Sequence, residues 1–417
     1  MFTVYKFGGA SIKDVNSIYK VGKIINSIET KNLVVVFSAM GKVTNMLELV
    51  VDAYYYNKED LSDSLNNVKK FHLGIINHLF DKNHRIFDYV NNLFVELDWE
   101  LEGDFKKEYD YIYDQVVSVG ELLSTRIMSS YLLDKGFNHQ LLDARDFIKT
   151  DNNFRNAKID WQNSKKNIGK VISKGCYVTQ GFIGCTSENF TTTLGREGSD
   201  FSASIIAFLL DANNLVIWKD VLGMMNADPR YFSCSKLVKS ISYDEAIELA
   251  YFGAKVIHPK TIQPLKKKNI PLHIRSFLNL TNSGTKIFNY KKKKFDLPFY
   301  ILKKNQILIS IADPNLSFIV EDHISKIFSF LSLFNIRVNL MQNSAVSFSI
   351  CVDNDTTKIN SLFDKLSNDF KISYNENVSL YTVRHYTLSK EDKFLIDKKI
   401  LIEQRTRNNL QLVLSSN

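Results

Sequence analysis

Cysteine is nearly absent. The 417 residues hold four, Cys176, Cys185, Cys234 and Cys351, and no two form a Cys-x-x-Cys pair. Neither a disulfide framework nor a zinc site follows from that scatter. Long apolar runs are missing too: none approaches the ~18 residues of a membrane span, and no membrane partner is expected. Met1 leads straight into a strand-like run with no signal peptide in view, so the expected location is the cytoplasm. Acidic residues are outnumbered, 45 against 53 basic, for a net charge of +8. Such an excess could draw nucleic acid. Its local sources are short, Lys266-Lys267-Lys268 and the run 291–294, with few aromatics among them. A solvated surface explains them, and no nucleic-acid partner is expected. Glycine is the most unevenly spread residue: all 17 lie at or before Gly284. The lysine run 291–294, then Leu297-Pro298, reads as a linker between unlike halves.

A chain of this length can build two or three domains with substantial cores. Its 45% hydrophobic and 24% charged content is ordinary for a globular protein. The first half alternates strand-like and helix-like segments. A strand over 4–7 enters a glycine loop, and residues 17–28 carry Ile18, Val21, Ile25 and Ile28 at helical spacing. Leu33-Val34-Val35-Val36-Phe37 is a continuous apolar run typical of a strand buried on both faces, and it ends in Ser38-Ala39-Met40-Gly41. A long helical section is predicted over 44–135, with further strands over 140–142, 177–182, 215–218 and 271–274. This alternation predicts an α/β fold with a mostly parallel sheet covered on both faces. Ligands of such sheets gather at the carboxyl ends of the strands. The second half reads as strand 306–311, helix 318–334, strands 337–342 and 347–352, helix 357–366 and strand 371–374. That order, β-α-β-β-α-β, is the ferredoxin-like α+β pattern. The remainder, including 379–383 and 400–414, supplies strands but little helix, enough for half of a second such unit.

Two glycine-bearing loops carry the chemistry. The first is Lys6-Phe7-Gly8-Gly9-Ala10-Ser11; the second is Thr191-Thr192-Thr193-Leu194-Gly195-Arg196-Glu197-Gly198-Ser199-Asp200, followed by an apolar stretch over 201–210. Glycine lets backbone N–H groups approach an anion closely, and a helix starting there adds its positive end. Lysine, arginine and aspartate alongside point to phosphoryl transfer rather than a passive anion site.

These loops, with Ser38-Ala39-Met40-Gly41, Gly120-Glu121-Leu122-Leu123-Ser124-Thr125, Asp220, Asp228-Pro229-Arg230 and Phe252-Gly253-Ala254-Lys255-Val256-Ile257-His258-Pro259, resemble aspartate kinase. That family belongs to the amino-acid kinase superfamily, and the motifs run over 2–290 in its order. The resemblance implies a three-layer α/β/α amino-acid kinase domain over 1–290 and a linker over 291–304. It also implies a ferredoxin-like ACT domain over 305–375 and a shortened second ACT-like unit over 376–417. The implied reaction is phosphorylation of the β-carboxylate of L-aspartate by ATP, with Mg²⁺, to 4-phospho-L-aspartate. That is the first step of lysine, threonine and methionine biosynthesis.

A carboxylate with a pKa near ~4 is already ionised and needs no base. The difficulty is repulsion between two anions, which positioning, cations and N–H dipoles must relieve. In that light Lys6 contacts the transferring phosphate, with Gly8, Gly9 and Ser11 forming the loop around it. The resemblance assigns Arg196 to the carboxylates of aspartate, Glu121 to its α-ammonium, and Ser38 and Thr44 to hydroxyl contacts. Asp200 would orient Lys6 or hold Mg²⁺ through water. Lys219, Asp220, Met225, Asp228, Arg230 and Lys255 are assigned to the nucleotide. Plainer readings exist for several: Ser38 or Thr44 as a helix cap, Asp200 as the N-cap of a helix beginning near Phe201, Asp228-Pro229-Arg230 as an ordinary turn. His258 is read as structural. Three positions depart from the family: Ala10 for a frequent threonine, Glu197 for glycine, and Met225 for tyrosine. The Glu197 side chain is expected to point away from the anion site.

In relatives, ACT domains bind an end-product amino acid and pair subunits. Here the segment 312–318 has no glycine, and Ala345 replaces a frequent glutamate, so an amino-acid effector and pure assembly both stay open. Open strand edges invite pairing, and a homodimer or larger is expected. The competing functions are a kinase for another amino acid and an ACT sensor without turnover.

Overall fold

The computed structural model describes residues 1–56, 59–102, 107–254, 256–290, 297–314, 318–386 and 398–416. They form two compact units, Met1–Met224 with Leu237–Ala250 and Lys255–Lys291, and Met225–Lys236 with Tyr251–Ala254 and Lys292–Asn417. Among the described residues, no helix is long and apolar enough to cross a membrane.

In the first unit the strands are β1 (Thr3–Phe7), β2 (Leu33–Phe37), β3 (Gln140–Leu142) and β4 (Cys176–Gln180), a small hairpin of β5 (Ile183–Cys185) and β6 (Thr191–Thr193), then β7 (Asn214–Lys219), β8 (Ser240–Ser242), β9 (Leu272–Ser276) and β10 (Thr285–Phe288). Eight of them make one sheet in the order β3-β4-β2-β1-β7-β9-β10-β8. Only the β9–β10 pairing is antiparallel. The short β8 and β10 had no signal in the sequence pattern. The helices are α1 (Val15–Asn26), α2 (Val43–Tyr55), α3 (Leu61–Leu79), α4 (Ile86–Leu101), α5 (Tyr109–Val117), α6 (Val119–Asp134), α7 (Ala144–Phe147), α8 (Trp161–Val171), α9 (Gly198–Leu209), α10 (Tyr243–Phe252) and α11 (Pro259–Lys268). The helical section predicted over 44–135 is thus five helices, α2 to α6. A single helix of that length would run roughly 140 Å, too long to pack on one domain. Strand β2 touches both α6 and α9 and is buried at all five positions, as the apolar run requires of a strand covered on both faces.

Strands β1, β2 and β7 lie side by side with Phe7 level with Phe37 and Trp218. The Phe7 ring stacks on both neighbours at 5.8 Å. Because side chains alternate across a strand, Lys6 points to the opposite face, where α9 packs on these three strands.

The second unit contains β11 (Phe299–Ala312), α12 (Glu321–Leu333), β12 (Val338–Asn343), β13 (Ser347–Asp353), α13 (Thr356–Leu366), β14 (Lys371–Arg384), β15 (Lys398–Arg405) and β16 (Asn409–Ser416). All pairings are antiparallel, in the order β12-β13-β11-β14-β16-β15. The first four strands and two helices have ferredoxin-like topology. Ile307, Ile309 and Ile311 of β11 face α12 and α13 in one core, while Leu308 joins Val378, Leu380 and Val413 on the other face.

Two expected boundaries are corrected. Residues 299–304 are strand, not linker, and 375/376 falls inside β14; residues 291–296 lie outside the described residues. The pattern was misleading because both strands bulge there. Register shifts separate Lys303 from Gln306 and Gln306 from Leu308. The extra residues include Asn305 and Asn377, each at φ 55°. Asparagine tolerates left-handed backbone better than most side chains, and in a segment without glycine it takes that role.

Asn377→Ala is therefore expected to destabilise the second unit by about 1 kcal/mol, and Asn377→Gly to leave it within a few tenths, as read by urea unfolding of the full chain.

Candidate functional site

A buried triad of charges lies at the carboxyl ends of β1 and β7. Asp200 comes from the first turn of α9 and is 3% exposed. Lys6 Nζ lies 2.6 Å from its Oδ1, and Lys219 Nζ, at the end of β7, lies 3.2 Å from its Oδ2. Burial pushes the Asp200 carboxyl up, but Lys219 and Lys6 outweigh that and hold it at about 2. Burial pushes the Lys219 ammonium down, and Asp200 and then Glu197 reverse this, leaving its pKa raised. Lys219 also donates to Val256 O at 2.6 Å.

The first glycine loop wraps this lysine. Gly8 would bring a Cβ to 3.2 Å from Lys6 Nζ, and a Cβ on Gly9 would sit 2.7 Å from Ala39 O and 2.8 Å from Gly41 O. Only glycine permits that approach to the loop after β2, which Gly41 N closes by donating to Gly9 O at 3.0 Å. Ser11 folds the turn by donating from Oγ to Gly8 O at 2.6 Å. Ser38, 9% exposed, begins the β2 loop, and Ala39 N donates to Glu121 Oε1 at 3.2 Å. Glu121 sits in the first turn of α6, 2% exposed, and its Oε2 has no hydrogen-bond partner among the described residues. Burial drives its carboxyl up to about 8, against the Ala39 N–H and the charge of Lys6.

Lys6, Gly8, Gly9, Ser11, Ser38, Glu121, Asp200 and Lys219 thus converge. Thr44 is half-buried in the first turn of α2, Arg196 is exposed on the loop entering α9, and Asp220 is exposed beyond β7, where its charge helps to raise the pKa of Lys219. Met225, Asp228 and Arg230 belong to the second unit, where Arg230 grips Asp228 through Nε at 3.0 Å and a second nitrogen at 2.6 Å. Lys255 lies outside the described residues. His258 caps α11, its ring accepting from Lys260 N at 3.2 Å.

Two expectations are corrected. Helix α9 begins at Gly198, so Asp200 lies within its first turn and does not cap it. Glu197 is the N-cap, at φ 54°, and its Oε2 is buried while its charge acts on Lys219, so it does not point away. Left-handed backbone favours glycine there, and the glutamate instead supplies a second carboxylate near the lysines. Sequence reasoning missed Asp114, a fully buried carboxylate on α5 that holds Thr193. Its signal was an acid among Ile112, Val116 and Val117, all core-facing.

Asp200→Asn leaves two ammonium groups facing each other with little water. It is expected to cost about 3 kcal/mol in urea unfolding at neutral pH. In the wild type that contribution is present above the ordinary carboxylate range and is lost as pH falls towards 2.

Residues 1–276 match the amino acid kinase family. Over 89% of its length the chain is 32% identical to a bifunctional aspartokinase/homoserine dehydrogenase of Buchnera aphidicola, spanning 48% of that relative, about half. Over 93% it is 29% identical to lysine-sensitive aspartokinase 3 of Escherichia coli, spanning 88% of it. Two solved structures of aspartokinase III from E. coli superpose at 27% identity. The complex with lysine and aspartate has a TM-score of 0.83, covering 99% of this chain and 95% of that one. The complex with aspartate and ADP has a TM-score of 0.81, with 99% and 96% covered. With its mostly parallel sheet, its glycine loop after β1 and this match over two-thirds of its length, the chain belongs to the amino acid kinase family.

Proposed function

We propose that this chain transfers the γ-phosphoryl group of ATP to the β-carboxylate of L-aspartate, giving 4-phospho-L-aspartate and ADP. The observation that carries this reading is the buried Lys6–Asp200–Lys219 triad with the Glu121 carboxyl near it, whose Oε2 lacks a donor among the described residues. The aspartate- and ADP-bound relative supports it. The acceptor oxygen is already anionic, so no base is required, and the barrier is charge repulsion. Lys6 and the N–H groups of Gly8 and Gly9 meet the transferring phosphoryl group, with Ser11 fixing the loop. Asp200 keeps the two lysines charged and aimed while the site is empty of nucleotide. Glu121 Oε2 lacks a donor until an α-ammonium arrives, and Arg196 supplies the forked partner for a carboxylate. Ser38 and Thr44 add hydroxyl contacts to the substrate.

The nucleotide is assigned Lys219, Asp220, Met225, Asp228, Arg230 and Lys255. Mg²⁺ would arrive on the phosphates, since it keeps much of its own hydration. Among the described residues no cluster of three or more metal-ligating side chains offers a cage. Asp200, an ionised carboxylate set between the two lysines, is the side chain that would reach its water shell. When bound, the ion neutralises phosphate charge. In the second unit the ferredoxin-like fold is assigned to assembly as a homodimer or larger, and binding of an amino-acid effector there is the alternative role; the relative from E. coli in complex with lysine bears on that alternative. A cytoplasmic location belongs to the same reading.

The test is purified protein with ATP, Mg²⁺ and a panel of acids, trapping acyl phosphate as hydroxamate. Product with aspartate is expected, and Lys6→Ala should lower turnover about a hundredfold or more. Turnover of glutamate alone, or of no acid, would sink the proposal. The Glu121 carboxyl, with a pKa of about 8 in the free protein, must lose its proton to pair with an ammonium. Hence kcat/KM for aspartate should climb between pH 6 and pH 8, by up to about tenfold per unit, and then level. Glu121→Gln should flatten that climb, and a wild-type profile flat across this range would remove Glu121 from the substrate site.

A further inference from the structure

The Asp114 carboxylate belongs to no catalytic role yet assigned, and its surroundings are unusual for a buried acid. It is fully buried on α5, yet no cation pairs with it among the described residues. Its neutralising partners are donors from two other segments. Thr193 donates from Oγ1 to Oδ1 at 2.6 Å and from its backbone N to Oδ2 at 2.8 Å. Arg155 N donates to both oxygens, at 3.1 and 3.0 Å. The Arg155 guanidinium goes elsewhere, to Asp110 at 2.9 Å and over the Tyr113 ring at 4.4 Å.

Each contact constrains the second glycine loop. Thr193 ends β6, three residues before Arg196. Its carbonyl accepts from Ala157 N at 3.0 Å, so the segment around Arg155 lies along the exit from the strand. Arg155 itself is at φ 63°, a conformation that needs outside support for a side chain of this size. Gly195, at φ 75°, packs so closely that a Cβ would meet Arg155 O and Asn156 Oδ1, each at 3.0 Å. One residue further along α5, Gln115 Nε2 donates to Thr191 O at 2.9 Å, fixing the start of the same strand. One helix therefore sets where β6 ends and in which direction the chain leaves towards Arg196.

We propose that Asp114 is a positioning residue for the acceptor substrate, aiming Arg196 by clamping Thr193 and Arg155 together. The proposal rests on the assignment of Arg196 to the carboxylates of the substrate. An acceptor-only group is needed because every partner is a donor. An asparagine of the same shape would turn an N–H₂ towards one of them. Burial raises the Asp114 carboxyl to about 6, in opposition to these hydrogen bonds, so the charge is kept at a cost that simple packing would not demand.

The experiment is a kinetic double-mutant cycle on the full chain with Asp114→Asn and Arg196→Ala, using the hydroxamate assay. Asp114→Asn is expected to raise KM for aspartate about tenfold while KM for ATP stays within twofold. In the Arg196→Ala background the same change should matter less than twofold, because its effect passes through the arginine. Thr193→Val, which removes one donor and keeps the backbone, should show the same split in smaller measure and serves if Asp114→Asn does not fold. An unchanged KM for aspartate, equal rises in both KM values, or a full effect persisting without Arg196 would overturn the proposal. The wild-type acid panel is run first. If another acid is the substrate, the cycle is run with that acid, so failure of the aspartate assignment and failure of Asp114 are told apart.

Discussion

Asp200 sits between two lysines at the ends of adjacent strands, and the rest of the site is arranged around that buried ion triad. Strands β1 and β7 bring Lys6 and Lys219 within reach of each other, which like charges resist in a dry environment. The first turn of α9 delivers the carboxylate that makes the arrangement tolerable, and the parallel sheet fixes all three backbones. The aromatic stack of Phe7, Phe37 and Trp218 closes the opposite face of the same strand ends. Cations are thereby held ready for an anionic ligand without being shed to solvent.

One unsatisfied acceptor stands beside that triad. Glu121 Oε2 is buried without a hydrogen-bond donor among the described residues. Such a group is costly to leave unmade, and under the proposed function its partner is the substrate. Burial pushes the carboxyls of Glu121 and Asp200 both up, and their surroundings separate them. Glu121 has the Ala39 N–H, its own backbone N–H and a modest influence from Lys6 against burial, and rises to about 8; Asp200 has two lysines, and falls to about 2. Neighbouring charge decides between protonated and ionised acids within one cleft. Glu197 adds a further carboxylate where the backbone itself would favour glycine, and it draws on Lys219.

The second unit solves its folding with a different vocabulary. Beyond Gly284 its chain has no glycine, and it places asparagine at φ 55° in the bulges of β11 and β14 and at φ 51° after α12, at Asn335. The bulges let two long strands belong to the ferredoxin-like part at one end and pair with each other beside β16 at the other. An expected boundary between two domains thus became a bend in a continuous pair of strands.

The sequence by itself determined the order and kind of most elements. The apolar run 33–37 could only be a strand covered on both faces, and the β-α-β-β-α-β order of the second half followed from periodicity. It also determined which loops would carry charge, since Lys6-Phe7-Gly8-Gly9 and Gly195-Arg196-Glu197-Gly198-Ser199-Asp200 announce themselves locally. What only the tertiary structure decided is which charges face each other. Lys6, Asp200 and Lys219 are far apart along the chain, and their pairing depends on sheet order and on which face α9 covers. The direction of Glu197, the short strands β8 and β10, and the clamp made by Asp114 were hidden for the same reason. Hydrogen bonds and Coulomb forces act through space over a few ångströms, and spacing along a chain does not encode that distance until the fold has closed it.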